Sequence, residues 1–182
     1  MQKIVIPLFV VSLILSACSA VDCPLNNTVY SVYQLKRANG MADTLTDTLS
    51  VITLMHNEKE DPVLINRDTK VTSFNVAMSY SGSEDILYFL IRAPRTKKDT
   101  IVSGNDTTIT EKNYLVELLD TVVVGKENHK HFESVECTPS FFHTITGVRH
   151  TKNAIDSIVI HNREVNYDSS KEHFHLYLKS GY

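Results

Sequence analysis

The stretch "SFNVAMSY" (73–80) decides the fold class. Phe74, Val76, Met78 and Tyr80 alternate with Ser73, Asn75, Ala77 and Ser79. Successive side chains of a strand point to opposite faces, so period-two alternation marks a strand with one face in a core and one in water. The grammar recurs at the end of the chain, where Phe174, Leu176 and Leu178 alternate with His173, His175, Tyr177 and Lys179. In "DSIVIHN", Ile158 and Ile160 share a face. Further strands are expected over 28–36, 48–56, 86–92, 115–119, 122–124, 130–135 and 142–148, runs filled with β-branched and aromatic residues. Turn residues separate them at Asn39-Gly40, Asp61-Pro62, Ser81-Gly82, Ala93-Pro94 and Gly104-Asn105-Asp106. "DTIVSGNDTTIT" reads as a polar hairpin around Gly104 and Asn105. "NYLVELLD" (113–120) fits either a short helix or a strand. No stretch after the first residues keeps a 3.6 period for three turns. Eight or nine short strands with regular turns predict an all-β fold, an antiparallel β-sandwich of immunoglobulin-like or related type.

The N-terminus carries a different signal. Lys3 supplies a positive charge, and an apolar run over 4–15 follows, interrupted by Pro7 and Ser12. That run is shorter than the roughly 20 residues a bilayer span needs, so it reads as an export signal. Leu15-Ser16-Ala17-Cys18 resembles the bacterial lipobox. The resemblance implies that Cys18 is acylated and becomes the mature N-terminus, with an ordinary signal peptide as the alternative. Residues 1–17 are then the signal peptide, 18–27 a tether, and 28–182 a single β-sandwich domain. Each buried lipid methylene is worth about 0.8 kcal/mol, so acyl chains hold such a domain on a membrane without a span.

Of three cysteines, lipidation removes Cys18 and leaves Cys23 and Cys137. An even pair in an exported protein tends to oxidise, and a Cys23–Cys137 bridge is expected; two free thiols are the alternative. A zinc site is disfavoured, because no C-x-x-C pair exists. The 182 residues carry a net charge of −3, and Arg95 to Lys98 is a single short basic cluster, too sparse for a nucleic-acid partner to be expected. Hydrophobic content of 42% with 21% charged residues is that of a globular chain.

A short phrase recurs: Asp, then Thr or Ser, then an apolar residue or Thr, at Asp43-Thr44, Asp47-Thr48, Asp99-Thr100, Asp106-Thr107, Asp120-Thr121 and Asp156-Ser157. One reading is turn chemistry, in which Asp closes a turn on its own backbone and the next residue opens a strand. The phrase also resembles the O-glycosylation acceptor of Bacteroidetes envelope proteins, which makes Thr44, Thr48 and Thr107 candidate acceptors.

Taken together, "CPLNNTVYSVY" (23–33), "HFESVECTPSFF" (131–142), "IDSIVIHNREV" (155–165) and "HFHLYL" (173–178) resemble an uncharacterised family of Bacteroidetes cell-envelope lipoproteins. The chain departs from that pattern at Cys137-Thr138, where a glycine would be expected after the cysteine. The resemblance implies an envelope address and supports the pairing of Cys23 with Cys137; it implies no activity.

Chemistry is sparse. His129-x-His131 and His173-x-His175 each put two imidazoles on one strand face, a spacing that suits a metal only if the pairs converge. The plainer reading is two solvated faces, with His173 and His175 opposite Phe174 and Leu176. Ser81-Gly82-Ser83 lacks the G-x-S-x-G pattern of a hydrolase elbow, and Glu133 with Glu136, or Glu58 with Glu60, read as solvated charges. The expectation is a non-catalytic, lipid-anchored envelope protein with no cofactor. It would sit on the periplasmic side of the outer membrane as an accessory or binding module for an outer-membrane protein. The alternatives are an envelope glycan-binding protein and a metal-dependent envelope hydrolase.

Overall fold

The computed structural model describes Cys23 and residues 28–54, 63–103 and 106–182. Its strands are β1 (Tyr30–Leu35), β2 (Thr48–Thr53), β3 (Val63–Asp68), β4 (Ser73–Ala77), β5 (Glu84–Ser103), β6 (Asp106–His131), β7 (Ser140–His150), β8 (Ile155–Ile160), β9 (Glu164–Val165) and β10 (Phe174–Leu178). They form a four-stranded sheet, β4-β1-β10-β8, and a six-stranded sheet, β3-β2-β5-β6-β7-β9. The fold is an all-β sandwich, as the alternation predicts. No helix occurs among the described residues, and none there is long and apolar enough to cross a membrane.

The core lies between the sheets and is centred on aromatic rings. Tyr33 of β1 stacks between Phe74 of β4, at 5.0 Å, and Phe174 of β10, at 4.6 Å. Phe89 of β5 reaches across from the other sheet and meets Tyr33 and Phe74 edge-on at 5.6 and 5.7 Å. Stacked and edge-to-face contacts are the two geometries that ring quadrupoles favour. Leu35, Leu49, Val51, Ile145 and Ile155 fill in around them.

Several expectations need correction. Among the described residues there are ten strands, and one pair, β1 with β10, is parallel. The separate runs over 115–119 and 122–124 belong to one long strand, β6, which also absorbs 113–120 as strand rather than helix. The strand predicted over 130–135 stops at His131. Ala93-Pro94 is not a turn, because Pro94 lies within β5 opposite Leu115. Its partner on the other side, β2, ends opposite Arg92. Pro94 therefore sits where β5 has become an edge, the one strand context that tolerates a missing N–H. Tyr80 falls beyond β4 and is 70% exposed, so the inward series ends at Met78. The hairpin over 99–110 is present as expected, with Ser103 opposite Asp106; Gly104 and Asn105 lie outside the described residues. Asn39-Gly40 is a turn: Gly40 has φ +81° and donates its N–H to Arg37 O at 2.8 Å.

Candidate functional site

The inward register of β5 and β6 carries the least expected residues. On β5 it runs Asp85, Leu87, Phe89, Ile91; on β6 it runs Asp120, Val122, Val124, Lys126, all buried. Asp85 is paired with Val124, which makes Lys126 its diagonal neighbour on the same face. Lys126 Nζ lies 2.9 Å from Asp85 Oδ1 and 3.0 Å from Ser79 Oγ, and it also donates to Ser79 O. Ser79 Oγ donates to Asp85 Oδ1 at 2.6 Å. A buried ion pair survives when its remaining polar atoms are satisfied, and Ser79 supplies those partners. The period-two register running from Val122 and Val124 into Lys126 was the sequence signal for this cluster.

A bulge brings a histidine beside it. The β6–β7 register shifts between Gly125 and Lys126, which turns Ile145 and His143 inward. Gly125 fits this crowded point, since a Cβ there would lie 2.7 Å from Thr146 Oγ1. Asn128 donates its amide to Gly82 O at 2.7 Å and Tyr80 O at 3.2 Å. That orients Asn128 Oδ1 towards His143 Nδ1, 2.8 Å away. The network assigns the ring proton to Nδ1, which leaves the lone pair on Nε2. Burial, reinforced by the Lys126 charge, pushes the imidazole down to about 4, so it is neutral at pH 7.

His143 lines a cavity of about 310 Å³, together with Thr28, Val29, Met78, Tyr80, Pro139 and Phe141 among others. The Tyr80 and Phe141 rings stack at 5.3 Å. Cys23 and Cys137 are joined in a disulfide, with Cα atoms 5.4 Å apart. Cys137 directly precedes Thr138 and Pro139 of the cavity wall, so the bridge anchors the chain beside that wall.

The histidine pairs stay apart. His129 and His131 belong to β6 in the six-stranded sheet, whereas His175 belongs to β10 in the four-stranded sheet and His173 immediately precedes β10. No group of three His, Cys, Asp or Glu side chains placed to hold a metal occurs among the described residues. His129 Nε2 is 3.1 Å from Thr144 Oγ1. His131 stacks on Phe142 at 4.2 Å and meets Glu133 at 3.1 Å. His175 stacks on His161 at 4.3 Å and meets Glu172 at 2.8 Å. His173 is not on a solvated face: it is fully buried. Its Nδ1 accepts the Val32 N–H at 2.9 Å, and its Nε2 lies 3.2 Å from Glu164 O. Burial lowers its basicity as well. Alternation misplaced it because a strand end can turn a polar side chain inward when backbone partners wait there.

Of the candidate acceptor threonines, Thr44 is exposed, with its N–H on Asp43 Oδ1 at 2.9 Å. Thr48 is half-buried at the start of β2, opposite Arg92. Thr107 lies in β6, with its side chain outside the described residues, as are Cys18, Glu58 and Glu60. Asp120, in another copy of the Asp-Thr phrase, is buried and structural. It accepts from Thr151 Oγ1 and from the backbone N–H groups of Asn153, Ala154 and Ile155 at 2.7 to 2.9 Å. Burial alone would raise its carboxyl, but these donors outweigh it and hold the group below the usual carboxylate range.

The other prominent feature is a ribbon. β2 leaves β5 after Arg92, and β7 leaves β6 at Val122, so beyond those points β5 and β6 pair only with each other among the described residues. Its base is pinned: Arg95 forks onto Asp47 at 2.9 and 3.1 Å, and Tyr182 OH donates to Asp47 Oδ2 at 2.8 Å. From Thr96 to Ser103 the ribbon runs for about 25 Å. It exposes Ile101 and Tyr114 on one face, and Ile109 and Leu115 on the face that continues the outer side of the six-stranded sheet. Apolar side chains continue onto the outer face of the six-stranded sheet, where Leu119 pairs with Leu90, and Ile52 pairs with Tyr88 and the exposed Val63. An open groove of about 730 Å³, lined by Lys36, Asp43, Thr44, Asp156, Tyr177 and Tyr182 among others, lies between the 36–46 segment, β8 and the C-terminal residues.

A family model described as a family of unknown function (DUF6452) matches residues 48–178, from the first residue of β2 to the last of β10. No curated protein and no solved structure matches the chain.

Proposed function

We propose a function from one premise, that the chain belongs to the DUF6452 family of unknown function: it is a non-catalytic binding module that docks a protein partner through the β5–β6 ribbon. The observation that carries this reading is the ribbon itself. Two-stranded ribbons contribute little stability alone, and their unpaired edges are ready templates for a partner strand. Exposed Ile109 and Leu115 add apolar area that the outer face of the sheet extends, and Ile101 adds more on the ribbon's other face.

In this reading the protein is a Bacteroidetes envelope lipoprotein anchored through Cys18. It sits on the periplasmic side of the outer membrane, and its partner is an outer-membrane protein. The lipobox-like Leu15–Cys18 sequence supports the anchor. The exported setting agrees with the Cys23–Cys137 disulfide. Thr44, Thr48 and Thr107 are its proposed O-glycan acceptors. A second reading, envelope glycan binding, is favoured by the groove flanked by Tyr177 and Tyr182.

The test is chemical crosslinking of the lipid-anchored protein in cells, with mass spectrometry of the adducts. One dominant outer-membrane partner, lost when 96–113 is replaced by a tight turn, is the expected result. Adducts that persist without the ribbon, or an absence of any enriched protein, would overturn the reading.

A further inference from the structure

We propose that the cavity over His143 is a binding pocket for a small aromatic group carrying one hydroxyl or N–H donor, a phenol or an indole in chemical class. The pocket rests on geometry independent of the ribbon. Its volume of about 310 Å³ lies at the small end of the roughly 300–1,000 Å³ typical of ligand sites. Val29, Met78, Pro139 and Phe141 make most of the wall apolar, and Tyr80, 70% exposed, stacks on Phe141 at the rim. Aromatic faces and a thioether beside them favour a planar ring over an aliphatic chain.

The polar group is placed with equal definition. His143 Nδ1 is committed to Asn128, and Nε2 has no hydrogen-bond partner among the described residues. Its lone pair makes it an acceptor, so the complementary ligand group is a donor. Lys126 cannot compete for it, because its ammonium is already held by Asp85 and by both Ser79 oxygens. A carboxylate or phosphate ligand would find no free donor on this ring. The Cys23–Cys137 bridge fixes the chain next to the Thr138–Pro139 wall, which lowers the ordering cost of binding.

The test titrates the disulfide-bonded domain with p-cresol, 3-methylindole and toluene, observing the Met78 methyl and His143 ring resonances by NMR. Saturable shifts are expected, with p-cresol bound about fivefold tighter than toluene, the size of one hydrogen bond to a buried acceptor. His143→Phe keeps a ring but removes the acceptor, and should bring p-cresol and toluene to the same affinity. Should that variant not fold, Tyr80→Ala decides: the side chain is exposed, the fold does not need it, and all three ligands should weaken severalfold. N-acetyl-tyrosinamide separates the sources of such a ring. If it binds like p-cresol, the pocket takes a side chain of a protein; if it is excluded while p-cresol binds, the pocket takes a free molecule. No saturable shift with any probe, equal affinity for p-cresol and toluene in the unaltered domain, or indifference to Tyr80→Ala would overturn the proposal.

Discussion

Lys126 and Asp85 form an ion pair inside the sandwich, Nζ to Oδ1 at 2.9 Å, diagonal to each other on the inner face of β6 and β5. Breaking such a pair on one side strands a charge without water. Lys126→Met alone is expected to cost about 3–5 kcal/mol of folding free energy. The double variant Asp85→Leu with Lys126→Met removes both charges and should recover at least half of that loss. Chemical denaturation of the three proteins measures it; a double variant no better than the single would show that the pair contributes more than mutual neutralisation.

Tyr33 OH is buried with no well-formed hydrogen bond among the described residues, and burial raises its ionisation well above the usual phenol range, although Ser31 nearby offsets part of that. Tyr33→Phe keeps the stacked ring and removes the stranded hydroxyl. A gain of about 1 kcal/mol is expected, visible as an increase in thermal midpoint. A clear loss of stability would mean that the hydroxyl is satisfied in solution.

His143 and His173 are both held below their ordinary range by burial, His143 at about 4. Each is neutral in the fold, while the unfolded chain begins to bind protons near 6.5. The contribution of each is therefore complete above pH 6.5 and declines as pH falls below it; for His143 the decline runs to about pH 4 and amounts to at most about 3 kcal/mol. Denaturation midpoints between pH 7.5 and 4.5 should fall steeply, and His143→Gln should flatten the slope. At still lower pH the lowered carboxyl of Asp120 adds a further loss. An unchanged slope in the variant would reject the assignment to His143.

Reducing the Cys23–Cys137 bridge opens a loop of 114 residues. In the chain-entropy account that costs about 4–5 kcal/mol. Peptide mapping without reductant should recover the two cysteines joined, and urea midpoints with and without reductant should differ accordingly.

The ribbon beyond Arg95 packs on nothing in the sandwich among the described residues. Joining Arg95 to Tyr114, which face each other across the ribbon, with Asn-Gly should leave stability within about 0.5 kcal/mol of the unaltered protein. A larger loss, read by calorimetry, would mean that the arm supports the fold.

The all-β class, most strand positions and the turns at Asn39-Gly40 and Ser81-Gly82 were legible in the sequence, because alternation and turn chemistry act over a few residues. An even pair of cysteines in a chain read as exported points to the Cys23–Cys137 bridge but leaves two free thiols open, and the structure joins them. Alternation at His173-Phe174-His175 also placed the Phe174 side correctly. It failed for His173, whose ring bonds the backbone of Val32, far away in sequence, and of Glu164, beyond the strand, partners that a period-two pattern does not register.

What the tertiary structure alone decided has one cause: it depends on which strands stop pairing, and where. The ribbon exists because β2 ends opposite Arg92 and β7 opposite Val122, a matter of strand neighbours rather than of the residues between 93 and 121. The parallel pairing of β1 with β10 joins the two ends of the described fold. The pocket over His143 exists because a one-residue slip at Gly125 exchanged the inward and outward sides of β7 relative to β6. In a strand of period two, a single residue of register decides which side chains meet the core, and only the assembled sheet sets that register.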